Sequence, residues 1–341
     1  LSPDLAEPAD RPIGRLILFL VMNDDAVAVT RLVDRNGGIA SRATLLRAGA
    51  SPRSIERACQ SKLIVSERRG LYASATADLD QRRAVRLGGL IGCLSALRRS
   101  GVWAGLDTRL HVHVPAGSKR LRVDDVVAFG RDTRTPRNDT NFLADAGMPR
   151  VHWQRPIERI PLGPRHGLTD WIVPPLLALR QAVLCQEEEH AIASIDSALR
   201  KQLIPHSQLD LLFATLPRRL HRLQRELDPL ADSGTESIFG VRLRRLGHVV
   251  ELQRAVPGSS KFDALIDDVV AVDLDSKRWH SDEGQQLWDY DKTLQSFAWG
   301  RTAIRILPHH LFDCWPETLQ AIERAVHDAQ DLRRYRAGGK P

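Results

Sequence analysis

The residues best placed to do chemistry are Asp263, Asp273 and Asp275, each set in or beside an apolar run. A strand over Lys261–Ile266 puts Asp263 and Leu265 on one side, because successive side chains alternate faces. A strand over Val269–Asp275, prolonged to Lys277, puts Val269, Ala271, Asp273, Asp275 and Lys277 on one side and Val270, Val272 and Leu274 on the other. Asp267-Asp268 joins the two as a short turn, so the strands pair antiparallel and Asp263 lies opposite Asp273. Grouped carboxylates repel one another unless a cation neutralises them. Hard oxygen ligands of this kind suit Mg2+ or Mn2+, which activate water, orient a phosphodiester and stabilise a developing oxyanion. The expected ligands are Asp263 and Asp273, with Asp275 or Glu236, and Lys277 would add transition-state charge stabilisation. Glu236 shares a helical face with Phe239, Leu243 and Leu246, so it either serves the helix N-terminus or reaches into a site. His280 follows the Asp-x-Asp pair as a general acid or base, or packs with its neighbour Trp279.

These residues need a scaffold. The pattern over 235–329 is helix (Glu236–Leu246), strand (Val249–Gln253), a turn at Pro257-Gly258, the two strands above, a loop with Trp279-His280, helix (Gln286–Trp299), strand (Thr302–Leu307) and helix (Pro316–Ala329). That order predicts an α/β unit around a mixed sheet. Upstream, Arg83–Arg99 reads as one helix, Leu110–Val114 as a strand, and Pro174–Leu184, His190–Leu199 and Gln208–Leu227 as helices, with Gly117–Pro149 loop-rich and Pro229–Gly234 a linker. His111 and His113 share a strand face with no third ligand in view, so a packed strand is expected there; adjacent His309-His310 is assigned no role.

The N-terminal pattern is different in kind. Val29, Leu32 and Val33 form the apolar face of a first helix that stops at Asn36-Gly37-Gly38. Ser41 caps a second helix, Arg42–Arg47, and Ser51-Pro52 opens a third with Ile55, Ala58 and Cys59 inward. Leu63-Ile64-Val65, a turn at Arg68-Arg69-Gly70 and Leu71-Tyr72 make a hairpin. This is a winged helix-turn-helix, with Arg53, Arg57 and Lys62 on the polar side of the third helix and Arg68 and Arg69 at the wing tip, all expected to contact DNA.

Two resemblances add to this. Thr235-Glu236-Ser237, Gln253, Phe262-Asp263, Val272-Asp273-Leu274-Asp275 and Trp279-His280, with Asp289, Lys292, Gly300 and Arg305 further on, resemble the very-short-patch-repair-like endonuclease group of the PD-(D/E)xK superfamily. The resemblance implies that Asp263, Asp273 and Asp275 bind metal or act in catalysis, assisted by Glu236 and His280. Asp273 stands where that group usually has Glu, Ser276 where it has Gly, and Thr293 where a second Asp is common. Gly37-Gly38-Ile39-Ala40-Ser41-Arg42 through Arg69-Gly70-Leu71-Tyr72 resembles the N-terminal domain of the abortive-infection type IV antitoxin family, and Leu94-Ser95-Ala96-Leu97, Thr169-Asp170 and Asp196-Ser197-Ala198-Leu199-Arg200 continue the likeness. That resemblance implies promoter binding by the N-terminal domain and contacts to a protein partner through the middle.

The 341 residues suffice for several domains, and the net charge of +7 favours an anionic partner such as nucleic acid. The four cysteines, Cys59, Cys93, Cys185 and Cys314, form no CxxC pair, which argues against zinc and a disulfide framework and fits a reducing cytoplasm. No apolar run is long enough to span a membrane; Leu16–Met22 has two readings, a signal-peptide h-region, against which the following Asn23-Asp24-Asp25 offers no small-residue cleavage site, or a natural start at Met22 with residues 1–21 an upstream extension. The expected architecture is a multidomain α/β chain: a flexible extension (1–24), the winged helix-turn-helix (25–78), a mixed α/β middle domain (79–232), a PD-(D/E)xK restriction-endonuclease-like α/β domain (233–330) and a tail (331–341). Two functions follow from it: a Mg2+- or Mn2+-dependent DNA endonuclease of repair or of phage and toxin–antitoxin defence, or a catalytically inactive DNA-binding regulator. An enzyme confined to mismatched or damaged DNA is a third.

Overall fold

A computed structural model describes residues 12–116, 127–128, 148–154, 169–255, 261–274 and 299–338. Pro257-Gly258, Asp275, Lys277, His280 and the helix expected over Gln286–Trp299 lie outside the described residues. The chain is mixed α/β and divides into two compact units: Leu1–Ala96, Thr108–Asp132 and Thr140–Leu177 form one, and Leu97–Asp107, Thr133–Asp139 and Ala178–Pro341 the other. Among the described residues no helix is long and apolar enough to cross a membrane.

The first unit opens with helix α1 (Pro12–Arg35), which begins within the segment expected to be a flexible extension. Pro12 suits a first helical position, and the Leu- and Ile-rich run behind it propagates the helix. Strand β1 (Ile39–Ser41), helices α2 (Arg42–Arg47) and α3 (Pro52–Gln60), and strands β2 (Ile64–Arg68) and β3 (Leu71–Ser74) follow. The strands form an antiparallel sheet in the order β1-β3-β2, so a third strand, absent from the sequence reading, flanks the hairpin. Ala26, Val29 and Val33 of α1 pack with Leu45, Ile55, Ala58 and Ile64 as one core, which is why these short helices hold together.

Helix α4 (Leu79–Leu87) ends at Gly88, whose φ of +94° is the left-handed conformation that closes helices. The single helix expected over Arg83–Arg99 is therefore two, α4 and α5 (Cys93–Arg99), with strand β4 (Leu90–Ile91) between them. A second sheet runs β4-β5-β7-β6, from β5 (His111–Pro115), β7 (Arg150–Gln154) and β6 (Val127–Ala128), with β7 parallel to both β5 and β6.

After α6 (Pro175–Cys185), the second unit carries α7 (Glu188–Arg200) and α8 (Leu209–Ala214). The helix expected over Gln208–Leu227 stops early: Pro217 interrupts it, and a 3-10 helix (Arg218–Glu226) takes over. Helix α9 (Gly234–Arg245) leads into β8 (Val250–Arg254), β9 (Phe262–Ile266), β10 (Val270–Leu274) and β11 (Thr302–Ile306). The sheet order is β11-β10-β9-β8, antiparallel but for the parallel pair β10–β11. Asp267 and Asp268, both at positive φ (49° and 59°), make the tight hairpin turn between β9 and β10. Helices α10 (Pro308–Phe312) and α11 (Trp315–Arg336) close the chain, so α11 runs through most of the expected tail. Ile238, Phe239 and Leu243 of α9 and Ile322 and Val326 of α11 pack with the sheet residues Ala264, Ile266, Val270, Val272 and Leu274.

Candidate nucleic-acid interface and carboxylate row

In the first unit, two serines set the helix pair. Ser41 Oγ accepts the Thr44 amide at 3.1 Å to start α2. Ser51 Oγ accepts the Ser54 amide at 3.0 Å while Ser54 Oγ accepts the Ser51 amide at 2.9 Å, a reciprocal cap that fixes the start of α3. The Ser41 amide donates to Asp170 Oδ2 at 2.7 Å, so residue 170 helps to hold the turn into α2.

The expected DNA-binding residues divide. Arg53 of α3, Lys62 after it and Arg69 in the hairpin turn are exposed. Arg57 is half-buried and pairs with Asp25 at 3.2 Å. Arg68 does not tip the hairpin: its guanidinium fills the space a Cβ on Gly88 would take, at the C-terminal end of α4, where free carbonyls favour a cation. Its neighbour Glu67, whose side chain is 1% exposed, pairs with Arg82 at 2.8 Å and Arg86 at 2.5 Å, which holds β2 against α4. Arg42 and Arg47 of α2 are also exposed, beside the capped turn. Sequence reasoning passed over them because it sought DNA contacts only on the third helix and the wing; as the ends of a short capped helix they could have been picked out.

In the second unit, the strand registers bring Gln253, Asp263 and Asp273 onto one face. Leu252 pairs with Ala264 and Arg254 with Phe262, so Gln253 lies against Asp263. Val272 pairs with Ala264, and one further step places Asp273 beside Asp263 as the sequence predicts; Asp273 is in turn in register with Arg305. Gln253 adopts a φ of +55°, unusual for a side-chain-bearing residue and a local kink in β8. Its amide nitrogen donates to Glu236 Oε2 at 2.7 Å and, more weakly, to Asp263 Oδ1 at 3.4 Å. Its amide oxygen accepts from Lys261 Nζ at 2.6 Å. Lys261, two residues before Asp263 and just ahead of β9, adds a positive charge to that of Arg305; strand alternation alone could have identified it.

Glu236 stands in the first turn of α9 and also meets Gln253 of β8. It is buried (4% exposed), and its oxygens accept from the Ser233 hydroxyl at 2.8 Å and the Asp232 amide at 2.9 Å, as well as from Gln253. Burial raises its pKa above the usual carboxylate value despite these bonds, and the charge of Asp263 adds to the rise. Three donors thus share the two Glu236 oxygens. Asp263 Oδ2 accepts the Leu274 amide at 2.7 Å. Hard oxygen donors for an ion such as Mg2+ are thus present on Asp263 and Asp273, while Asp275, Lys277 and His280 lie outside the described residues. Among the described residues Glu236, Asp263 and Asp273 do not bring three ligand atoms within 4.8 Å of one another.

Residues 28–75, from within α1 to just past β3, match the model of a family described as a transcriptional regulator, AbiEi antitoxin. No curated protein matches the chain.

Proposed function

We propose that this protein is a DNA-binding transcriptional regulator of the antitoxin type, and that residues 25–78 act as a winged helix-turn-helix. The observation that carries this reading is the coincidence of the 28–75 family match with a serine-capped helix pair bearing exposed arginines. Helix α3 is the element that would enter the major groove, with Arg53 at its exposed start; Arg42, Arg47 and Lys62 would meet phosphates, and Arg69 would reach the backbone beside the wing. Arg57 can join only by giving up Asp25, and Arg68 supports the hairpin rather than the DNA.

The test is selection of DNA from a random-sequence library followed by anisotropy titration across salt concentrations. The reading expects an enriched sequence and a steep salt dependence. Arg69→Ala, a backbone contact, should weaken binding about equally for all sequences and lower the salt slope by about 1. No enriched sequence, together with equal affinity of the variant, would remove the reading.

A second reading, that the C-terminal residues hydrolyse DNA phosphodiesters as a PD-(D/E)xK nuclease, is favoured by the shared face of Asp263 and Asp273. Asp263 and Asp273, with Asp275, would hold Mg2+ or Mn2+, and the ion would supply an activated water and a Lewis acid. Gln253 orients Asp263, and Lys261 holds Gln253. Divalent-dependent nicking of plasmid DNA that is lost in Asp263→Ala would establish it; equal nicking by the variant would mean a contaminant. Because the family match at residues 28–75 is to a transcriptional regulator, the non-enzymatic reading stands first.

A further inference from the structure

We infer a second, unrelated site: Cys93, His111 and His152 form a binding site for a transition-metal ion of borderline softness, zinc first. All three lie in the first unit, and their ligand atoms fall within 4.8 Å of one another. The sequence reading set His111 beside His113 and found no third ligand; the sheet supplies different partners. Strands β5 and β7 are parallel neighbours, which brings His111 Nδ1 to 3.0 Å from His152 Nε2 with ring centroids 5.2 Å apart. Cys93 arrives by another route. The Gly92 amide donates to the His111 carbonyl at 2.9 Å, and Ser95 Oγ accepts the His111 amide at 2.9 Å. These bonds staple the start of α5 onto β5 at His111. Cys93 itself sits at a φ of +46°, a conformation costly for a side-chain-bearing residue.

The chemistry of the donors selects the ion. One thiol and two imidazoles are soft to borderline ligands, unlike the oxygens of the carboxylate row, and suit Zn2+ rather than Mg2+. Zinc–nitrogen and zinc–sulfur bonds of about 2.0 and 2.3 Å place the ligand atoms of such a tetrahedral site roughly 3.3–3.5 Å apart. A bound ion would bring the three atoms from within 4.8 Å of one another to that spacing. Cys93 and His111 are fully buried, whereas His152 is half-buried. On binding, the Cys93 thiol gives its proton to solvent and the imidazoles coordinate as neutral bases. The competing account is a plain histidine–histidine hydrogen bond with a neighbouring thiol.

The experiment uses the full chain, stripped with chelator under reducing conditions and titrated with Co2+ as a spectroscopic stand-in for zinc. The site predicts one saturable equivalent with a thiolate-to-cobalt charge-transfer band, displaced by Zn2+. His152→Ala, the variant least exposed to folding failure because the ring is half-buried, should weaken Co2+ binding by at least ~10–100-fold, the loss seen even for supporting residues of metal sites. Cys93→Ser should abolish the band; another cysteine as the source would leave it intact. A wild-type chain that stays folded yet shows no charge-transfer band, or a His152→Ala variant of unchanged affinity, would overturn the inference.

Discussion

The segment matched to the regulator family and the carboxylate row of the second unit handle polar groups in opposite ways. In the first, Arg42, Arg47, Arg53, Lys62 and Arg69 stand in solvent around a small apolar core, and the buried polar contacts are the helix caps and the pairing of Glu67 with Arg82 and Arg86. In the second, Glu236, Gln253, Asp263 and Lys261 spend their hydrogen-bonding capacity on one another and on the backbone. Exposed cations cost little and remain available to a phosphate backbone. A buried carboxylate must be satisfied where it stands, and once satisfied it has little left for a ligand. The arginines are exposed, whereas Asp263 and Asp273 are half-buried and Glu236 is buried.

The contrast can be broken or sharpened by substitution. The largest expected effect is on the second unit's core: Phe239, fully buried between α9 and the sheet, should cost about 3–5 kcal/mol as Phe239→Ala, read from urea unfolding. If the exposed basic face works as proposed, DNA affinity measured where the variant remains folded should be unchanged.

Next comes a pH effect in the second unit. Asp196, 1% exposed, accepts from Ser237 Oγ at 2.9 Å and from the Asp228 amide at 3.0 Å, yet burial pushes its pKa up to about 7. A carboxyl raised in the fold stabilises most below its unfolded value near 4, and that contribution is lost as pH rises toward 7. Stability should therefore fall across that window, by a few kcal/mol in total at about 1.4 kcal/mol per pKa unit. Asp196→Asn should flatten the fall when denaturation midpoints are compared at pH 4 and pH 7; an unaltered slope would count against a buried, protonated Asp196.

The smallest effect belongs to the first unit. Ser51→Ala removes the hydroxyl half of the α3 cap and should cost about 0.5–2 kcal/mol of stability. Because α3 presents Arg53, the same change should weaken DNA binding if the cap positions that residue, and leave it unaltered if the helix start is irrelevant to binding.

By itself the sequence determined what depends on short spacing. The serine caps of α2 and α3, the Asp267-Asp268 turn, the face shared by Asp263 and Asp273, and the order of strands around them follow from hydrogen bonds and pleating between residues a few positions apart. It misjudged helix ends where a glycine or proline competes with a periodic pattern, as at Gly88 and Pro217. The tertiary structure alone decided which side chains meet across long separations. Arg68 turns to α4 instead of the wing tip, Glu236 is closed in by Gln253, and His111 finds His152 and Cys93 instead of His113. The physical reason is common to all three: a side chain's partner on a neighbouring strand or helix is set by packing and register, and the intervening chain leaves no periodic trace of that pairing.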